Sequence, residues 1–180
     1  MLNMKYIKKY PLHILAVPAL CYDIFDIPMY QCAVIICTGR SNAFIENEIR
    51  KNKLVLDFLD VEDEKLPGAF TRWDARKITS FIRDLPDEVS DIYVCCSKGG
   101  SRSAGCAAAL LRMSGRSDKD VWRNPYYTPN TLVYKILCRE FGILMPDIFV
   151  WILCRINDRA YKKAQKKKSS GKYERWQILF

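Results

Sequence analysis

Residues 92–103 read Ile-Tyr-Val-Cys-Cys-Ser-Lys-Gly-Gly-Ser-Arg-Ser. The first four of these residues are apolar, and they predict a buried strand that ends at Cys95. The small and polar residues that follow predict a tight loop. A segment rich in Ala and Leu then begins at Ser103, and it predicts a helix over residues 103–113 that stops before Gly115. A strand, a short loop and a helix in this order are typical of an α/β fold.

The same alternation extends outward in both directions. Short runs rich in β-branched residues predict three further strands, at residues 14–17, 32–38 and 54–59. Thr71, with Asp74 three residues later, predicts the N-terminus of a helix that runs to about Asp84. Two more helices are expected, over residues 130–141 and 147–163. We therefore predict an α/β fold with a mainly parallel central sheet flanked by helices. The helix after Thr71 is expected to bury Trp73, Ile78, Phe81 and Ile82.

Composition limits the class of protein. The chain has 180 residues, 49% of them hydrophobic, and a net charge of +9, which suits one compact domain and excludes collagen-like, coiled-coil and mainly disordered chains. Residues 155–180 carry nine Lys or Arg against two acidic residues, a net +7, which leaves +2 for residues 1–154. The expected division is a catalytic domain over 1–154, its last helix continuing to about 163, followed by a basic tail over 155–180.

Within that tail, residues 166–172 resemble a solvated linker, and residues 176–180 form an apolar end that can pack back on the body. The tail is expected either to be merely solvated or to make weak contact with nucleic acid or anionic lipid.

The cysteines and apolar runs indicate where the protein resides. Eight Cys occur without a C-x-x-C pair and mostly inside apolar runs, as expected of free buried thiols in a reducing compartment. No apolar run reaches the ~20 residues that a membrane span needs. A cytoplasmic location follows as the expectation. The one histidine, His13, is expected to be structural, and it excludes His-rich metal sites.

The loop after Cys95 has the composition of an anion site. Successive backbone N–H groups and the N-terminus of the following helix favour a bound phosphate. Gly99 and Gly100 let the backbone curl, and Arg102 can fold back to grip two phosphate oxygens. The same groups favour a thiolate at Cys96, which makes that residue a candidate nucleophile.

Residues 96–103 match the pattern C-x-x-G-x-x-R-S, and here the chain resembles the cysteine-dependent protein tyrosine and dual-specificity phosphatases. The resemblance spans roughly residues 54–141. It implies that Cys96 attacks phosphorus, that Arg102 holds the transition-state oxygens and that Ser103 eases departure of the thiolate. It implies neither a metal nor a cofactor. The phosphate-binding residues that it implies are Ser97, Lys98, Gly99, Gly100, Ser101 and Arg102.

Such an enzyme also needs an acid to protonate the leaving oxygen. Asp60 is preferred because it lies just past the predicted strand, Asp63 is second, and Asp57 comes too early. Asn130 is expected to help position the loop.

One position departs from the family, which usually has His directly before the nucleophile, where this chain has Cys95. Three interpretations follow: a tolerated change with a higher thiol pKa and slower turnover, a vicinal partner for reversible oxidation of Cys96, or a loss of catalysis.

The leading hypothesis is therefore hydrolysis of phosphate monoesters through a phosphocysteine, on phosphotyrosine or mixed phosphoprotein substrates. A catalytically impaired phosphate-binding module is the alternative that Cys95 suggests. An RNA 5′-phosphatase-like protein is the alternative that the basic tail suggests.

Overall fold

A computed structural model describes residues 12–16, 31–38 and 52–170. The strands are β1 (Leu12–Ala16), β2 (Cys32–Thr38), β3 (Asn52–Asp57) and β4 (Asp91–Cys96). The helices are α1 (Arg72–Arg83), α2 (Arg102–Met113), α3 (Lys119–Arg123), α4 (Thr131–Glu140) and α5 (Asp147–Ser169). All four predicted strands are present, although β3 begins and ends two residues earlier than expected. Position 17 lies outside the described residues.

The sheet is parallel throughout, with strand order β1-β4-β2-β3. Parallel strands in such sheets are long apolar runs because both faces are covered, and β2 and β4 are buried along their whole length. The prediction of an α/β fold with a parallel sheet is confirmed. Because β4 lies between β1 and β2, the loop that follows it leaves from the middle of the sheet's carboxyl edge, where open α/β sheets usually bind ligands.

Alternate residues of the two central strands join the helices in the main core. Ile92, Val94 and Cys96 of β4 belong to this core. Because successive strand residues point to opposite faces, Tyr93 and Cys95 lie on the other side of the sheet. On that side His13 of β1 stacks on Tyr93 with ring centroids 4.5 Å apart. His13 Nε2 also lies 2.8 Å from Asp91 Oδ1.

Helix α1 begins as the sequence predicts. The Thr71 side chain accepts from the Asp74 amide, and the Asp74 carboxylate accepts from the Thr71 amide at 3.1 Å. Ile78 and Ile82 are buried and Phe81 is partly buried. The prediction for Trp73 is wrong, because its side chain is 64% exposed. The buried face of the helix is formed by Ala75, Ile78, Thr79 and Ile82, and Trp73 lies on a different face.

Two features of the C-terminal half differ from expectation. The short helix α3 was not predicted, since five residues give too little periodicity to detect. Helix α5 continues to Ser169, so the predicted end near residue 163 and the predicted linker from residue 166 are wrong. Lys and Gln favour helices, and the last turns of α5 contain both. The proposed boundary at residue 154 falls inside this helix, and the predicted apolar end, 176–180, lies outside the described residues.

Over the described residues, no helix combines the length and the apolar character that crossing a membrane would require.

Candidate active site

The loop between β4 and α2 carries the candidate site. Strand β4 ends at Cys96 and α2 begins at Arg102. Gly99 has a φ of +68°, a backbone conformation that L side chains rarely adopt, and its amide donates to the Cys96 carbonyl at 3.2 Å. The glycine therefore lets the chain turn back over the end of the strand. Ser97 and Lys98 are exposed on this loop.

The Cys96 thiol lies at the centre of this turn and is almost fully buried. Burial raises the pKa of the Cys96 thiol, but hydrogen bonds from the Ser103 hydroxyl and from the backbone amides of Ser103, Ser101 and Lys98 together lower it below its ordinary value. The Ser103 Oγ lies 3.1 Å from the sulfur. Several donors aimed at one sulfur stabilise its negative charge. The arrangement favours a thiolate.

Arg102 is the second component, and it is a buried cation with an open donor. The residue is only 8% exposed. Its Nη1 donates to the Phe58 carbonyl at 2.9 Å, and its Nη2 donates to the Ser97 hydroxyl at 2.9 Å. Its Nε is buried and has no hydrogen-bond partner in the described structure. Buried donors are almost always paired, so this Nε can accommodate an oxygen of a ligand.

A carboxylate from the other side of the site contacts the same loop. Asp60 follows β3, and its Oδ1 accepts from the Ser101 hydroxyl at 2.7 Å and from Asn130 Nδ2 at 2.9 Å. Asn130 also caps α4, because its Oδ1 accepts from the Val133 amide at 3.0 Å. The expected proximity of Asp60 and Asn130 to the loop is thus found.

The other two candidate carboxylates are placed differently. Asp63 Oδ1 accepts from the Lys65 amide within its own turn at 3.0 Å. Asp57 is the exposed last residue of β3, three residues before Asp60. Of these three carboxylates, Asp60 is the one with hydrogen bonds to residues 96–103 among those that the structure describes.

Several supporting residues could not be named from the sequence. The segment after α3 holds the loop from behind, since the Thr128 amide donates to the Gly100 carbonyl at 2.9 Å. Gly105 of α2 packs directly on Asn130, where an added Cβ would lie 2.5 Å from the Asn130 carbonyl oxygen. A glycine in an Ala-rich helix is a signal of such close approach. The carbonyl of Phe58, which orients Arg102, has no sequence signal.

Cys95 is fully buried and points away from Cys96. In β4 it is paired with Ile36 on one side and Leu15 on the other. Because consecutive strand residues face opposite sides of the sheet, the two sulfurs are separated by the sheet itself. This geometry does not favour the interpretation of Cys95 as a vicinal redox partner. The pKa of Cys96 is lowered although position 95 is a cysteine, because Lys98, Ser101 and Ser103 supply the hydrogen bonds to its sulfur.

The other described cysteines belong to the protein's interior and are free thiols. Cys106 and Cys138 are buried in helices, as predicted, and Cys154 is partly buried against the core. A hydrogen bond with Cys106 and burial both raise the pKa of the Cys37 thiol well above its ordinary value. Burial raises the pKa of Cys138 to about 12. The raised pKa values keep the Cys37 and Cys138 thiols protonated at neutral pH, whereas the pKa of Cys96 is shifted in the opposite direction.

No cluster of three or more His, Cys, Asp or Glu side chains that could hold a metal ion occurs in residues 12–16, 31–38 and 52–170. Compared with known proteins, the chain matches no family model and none of the curated sequences. We therefore infer a function from the geometry of residues 58–60, 96–105 and 130.

Proposed function

We propose that the protein is a cysteine-dependent phosphatase, which hydrolyses phosphate monoesters through a phosphocysteine at Cys96. The observation that carries the proposal is the buried Arg102 guanidinium, which has an unpaired Nε and whose Nη2 donates to Ser97 of the loop around a stabilised thiol. A buried cation with an open donor suits a dianionic phosphate, and the adjacent thiolate suits attack on its phosphorus.

In the first step the Cys96 sulfur attacks phosphorus. The S–P bond forms as the P–O bond to the leaving group breaks, and Asp60 delivers a proton to the leaving oxygen. Ser101 and Asn130 both donate to Oδ1 of Asp60, so we assign this proton to Oδ2. Arg102 and the loop amides hold the equatorial oxygens of the transferring group.

In the second step water attacks the phosphocysteine. Asp60, now a carboxylate, takes a proton from the water, the S–P bond breaks and inorganic phosphate leaves. The departing thiolate gains its negative charge 3.1 Å from the Ser103 hydroxyl, which donates to it. The pKa that is lowered at Cys96 makes the sulfur a better leaving group as well as an available nucleophile.

Ser101 and Asn130 act as positioning residues for the acid. Their hydrogen bonds to Oδ1 fix the Asp60 carboxylate over the loop instead of leaving it free in solvent. Positioning of this kind supplies a large part of the rate in reactions where two groups must meet. The substrate class that the family resemblance implies is phosphotyrosine or a mixed phosphoprotein.

Hydrolysis of a generic aryl phosphate tests the proposal. The wild type is compared with Cys96→Ser from about pH 5 to about pH 8, and Cys95→Ala is the matched control, since it changes the neighbouring thiol on the other side of the sheet. Turnover by the wild type and by the Cys95 variant, with loss in Cys96→Ser, is expected. No turnover above Cys96→Ser would sink the enzyme proposal. If phosphate or tungstate still bound, the impaired binding module would replace it.

A panel of phosphotyrosine, phosphoserine and phosphothreonine peptides, with an RNA 5′-triphosphate added, then defines the substrate. Preference for phosphopeptides is expected, and preference for the RNA would replace the protein phosphatase with the RNA alternative.

A further inference from the structure

Helix α5 has one face on the body and one face in solvent. Val150, Leu153 and Asn157 are its buried residues, and the Asn157 amide donates to the carbonyls of Trp122, Asn124 and Tyr127. None of the residues from 158 to 169 is buried. The last three turns therefore extend beyond the packed part of the helix.

The exposed face begins with large apolar side chains. Ile148 is 60% exposed, Trp151 is 55% exposed and Ile152 is 43% exposed. Phe149 flanks them, and Leu144 stands just before the helix, both of them also exposed. Single exposed apolar residues are ordinary, but a cluster of this size marks a surface that binds something.

The same face continues as a basic stripe. Ile148 and Ile152 are followed at alternating spacings of three and four by residues that share their side of the helix. These residues are Arg155, Arg159, Lys162 and Lys166. All four are exposed, and none forms an ion pair within the described part of the chain. The guanidinium of Arg155 lies 5.3 Å from the centre of the Trp151 ring, which joins the two halves. We call this face, from Ile148 to Lys166, the outer stripe of α5.

We propose that the outer stripe of α5 docks on an anionic lipid surface. A partner for this stripe must offer apolar and negatively charged groups together, along a line of about 27 Å at 1.5 Å per residue. A bilayer that contains anionic lipids offers both, because acyl chains accept the Ile and Trp side chains while phosphates accept Arg and Lys.

Other occupants fit the stripe less well. A second copy of the chain would bring the same positive charges against this face. The chain beyond the described helix has an apolar end at 176–180, but it also carries Lys172 and Arg175, which the basic residues of the stripe repel. The phosphates of an RNA would pair with the Arg and Lys side chains, but they would leave Ile148 and Ile152 exposed to water.

Sedimentation of the full-length protein with vesicles tests this proposal without using enzymatic activity. Vesicles of phosphatidylcholine alone are compared with vesicles that also contain phosphatidylglycerol. One variant joins Ile148→Gln with Ile152→Gln. A second joins Arg159→Gln, Lys162→Gln and Lys166→Gln. The matched control removes three exposed cations elsewhere, by Lys77→Gln, Arg83→Gln and Lys119→Gln. Circular dichroism verifies that each variant is folded.

The wild type is expected to bind the phosphatidylglycerol vesicles and not the neutral ones. The triple α5 variant should bind about a hundredfold more weakly, since each basic residue near an anionic surface contributes about fivefold. The Ile148/Ile152 variant should bind at least about tenfold more weakly, and the control should bind within about twofold of the wild type.

Several outcomes would overturn the proposal. The proposal fails if the wild type binds neither kind of vesicle. It also fails if the α5 triple variant and its control lose equal amounts of vesicle binding, because the effect would then come from net charge alone. If the Ile148/Ile152 variant bound as the wild type while a single-stranded RNA bound through the three cations, the stripe would be a nucleic-acid surface. Self-association of the wild type that the Ile148/Ile152 variant abolished, without vesicle binding, would make it a dimer interface.

Discussion

Replacing Gly105 with alanine gives the sharpest test of how the candidate site is assembled. Gly105 lies in the first turn of α2, three residues after Arg102, and its amide donates to the Ser101 carbonyl at 2.8 Å. It faces Asn130, which in turn holds Asp60. One added methyl group therefore acts on the contact between the phosphate loop and the residue that positions the acid.

The expected size of the effect follows from the geometry. The new Cβ would lie 2.5 Å from the Asn130 carbonyl oxygen, whereas ordinary contact begins at 3.4 Å, so α2 and Asn130 must separate by about 0.9 Å. Helix propensity alone would make Gly→Ala favourable by about 1 kcal/mol. Overpacking against backbone costs about 1–3 kcal/mol, and we expect a net loss of stability. A displacement of about 1 Å at the site lowers kcat/KM by roughly a hundredfold.

The measurements are the free energy of unfolding in urea and kcat/KM on an aryl phosphate. Ala164→Gly on the outer part of α5 calibrates the helix-propensity contribution, and it should cost about 1 kcal/mol without loss of activity. If Gly105→Ala were as stable and as active as the wild type, the close packing of α2 on Asn130 would be refuted.

Three further predictions concern the acid, the thiolate and the core. Asp60→Asn should lower kcat by about 10²–10⁴-fold and remove the limb of the pH profile that needs the protonated acid, while Asp63→Asn should keep a rate near that of the wild type. If Asp63→Asn lost more activity than Asp60→Asn, the acid would be Asp63. Ser103→Ala should raise the pKa of Cys96 and so shift the pH dependence of its alkylation by iodoacetate upward, because the 3.1 Å hydrogen bond is lost; an unchanged midpoint would contradict the role given to Ser103. Asp118 is 1% exposed, and it accepts hydrogen bonds from Trp122 and Tyr134 beside Arg112. Asp118→Ala should therefore lower the free energy of unfolding in urea by about 3–5 kcal/mol. A loss below about 1 kcal/mol would contradict a structural role for this network.

The sequence predicts the parts of the site that are local. Cys96, Arg102 and Ser103 lie within eight residues, so the spacing along one strand, loop and helix start determines their placement. The strands of the sheet were predictable for a similar reason, since β2 and β4 are continuous apolar runs.

Asp60 and Asn130 lie far from the loop along the chain. The sequence identifies them as candidates, but it does not predict how they contact each other or the loop. Asp60 meets Ser101 across 41 residues of chain and Asn130 across 70. Nothing in the sequence distinguishes its carboxylate from that of Asp63 beyond distance from the strand. The Phe58 carbonyl that orients Arg102 is a backbone group, and backbone groups leave no mark in a sequence.

Two errors have instructive physical causes. Trp73 has the apolar character of a core residue, but it lies five positions before Ile78, which at about 3.6 residues per turn places it on a different face of α1 from the buried residues. The Lys-rich end of α5 has the composition of a solvated segment, and that composition predicts a linker. Solvation and helix are compatible, because Lys, Gln and Ala all favour helical backbone.

The central claim is that Cys96 becomes covalently phosphorylated during turnover, and a trapped intermediate tests it most directly. Ser103→Ala should slow the second step, so rapid denaturation of that variant at alkaline pH, where the S–P bond is stable, during hydrolysis of an aryl phosphate should preserve the phosphocysteine. We expect one added phosphoryl group by mass spectrometry of the intact protein, mapped to the peptide that contains Cys96 and absent when Cys96→Ser is introduced. Steady turnover with no phosphoryl group on Cys96, or with the group on another residue, would contradict it.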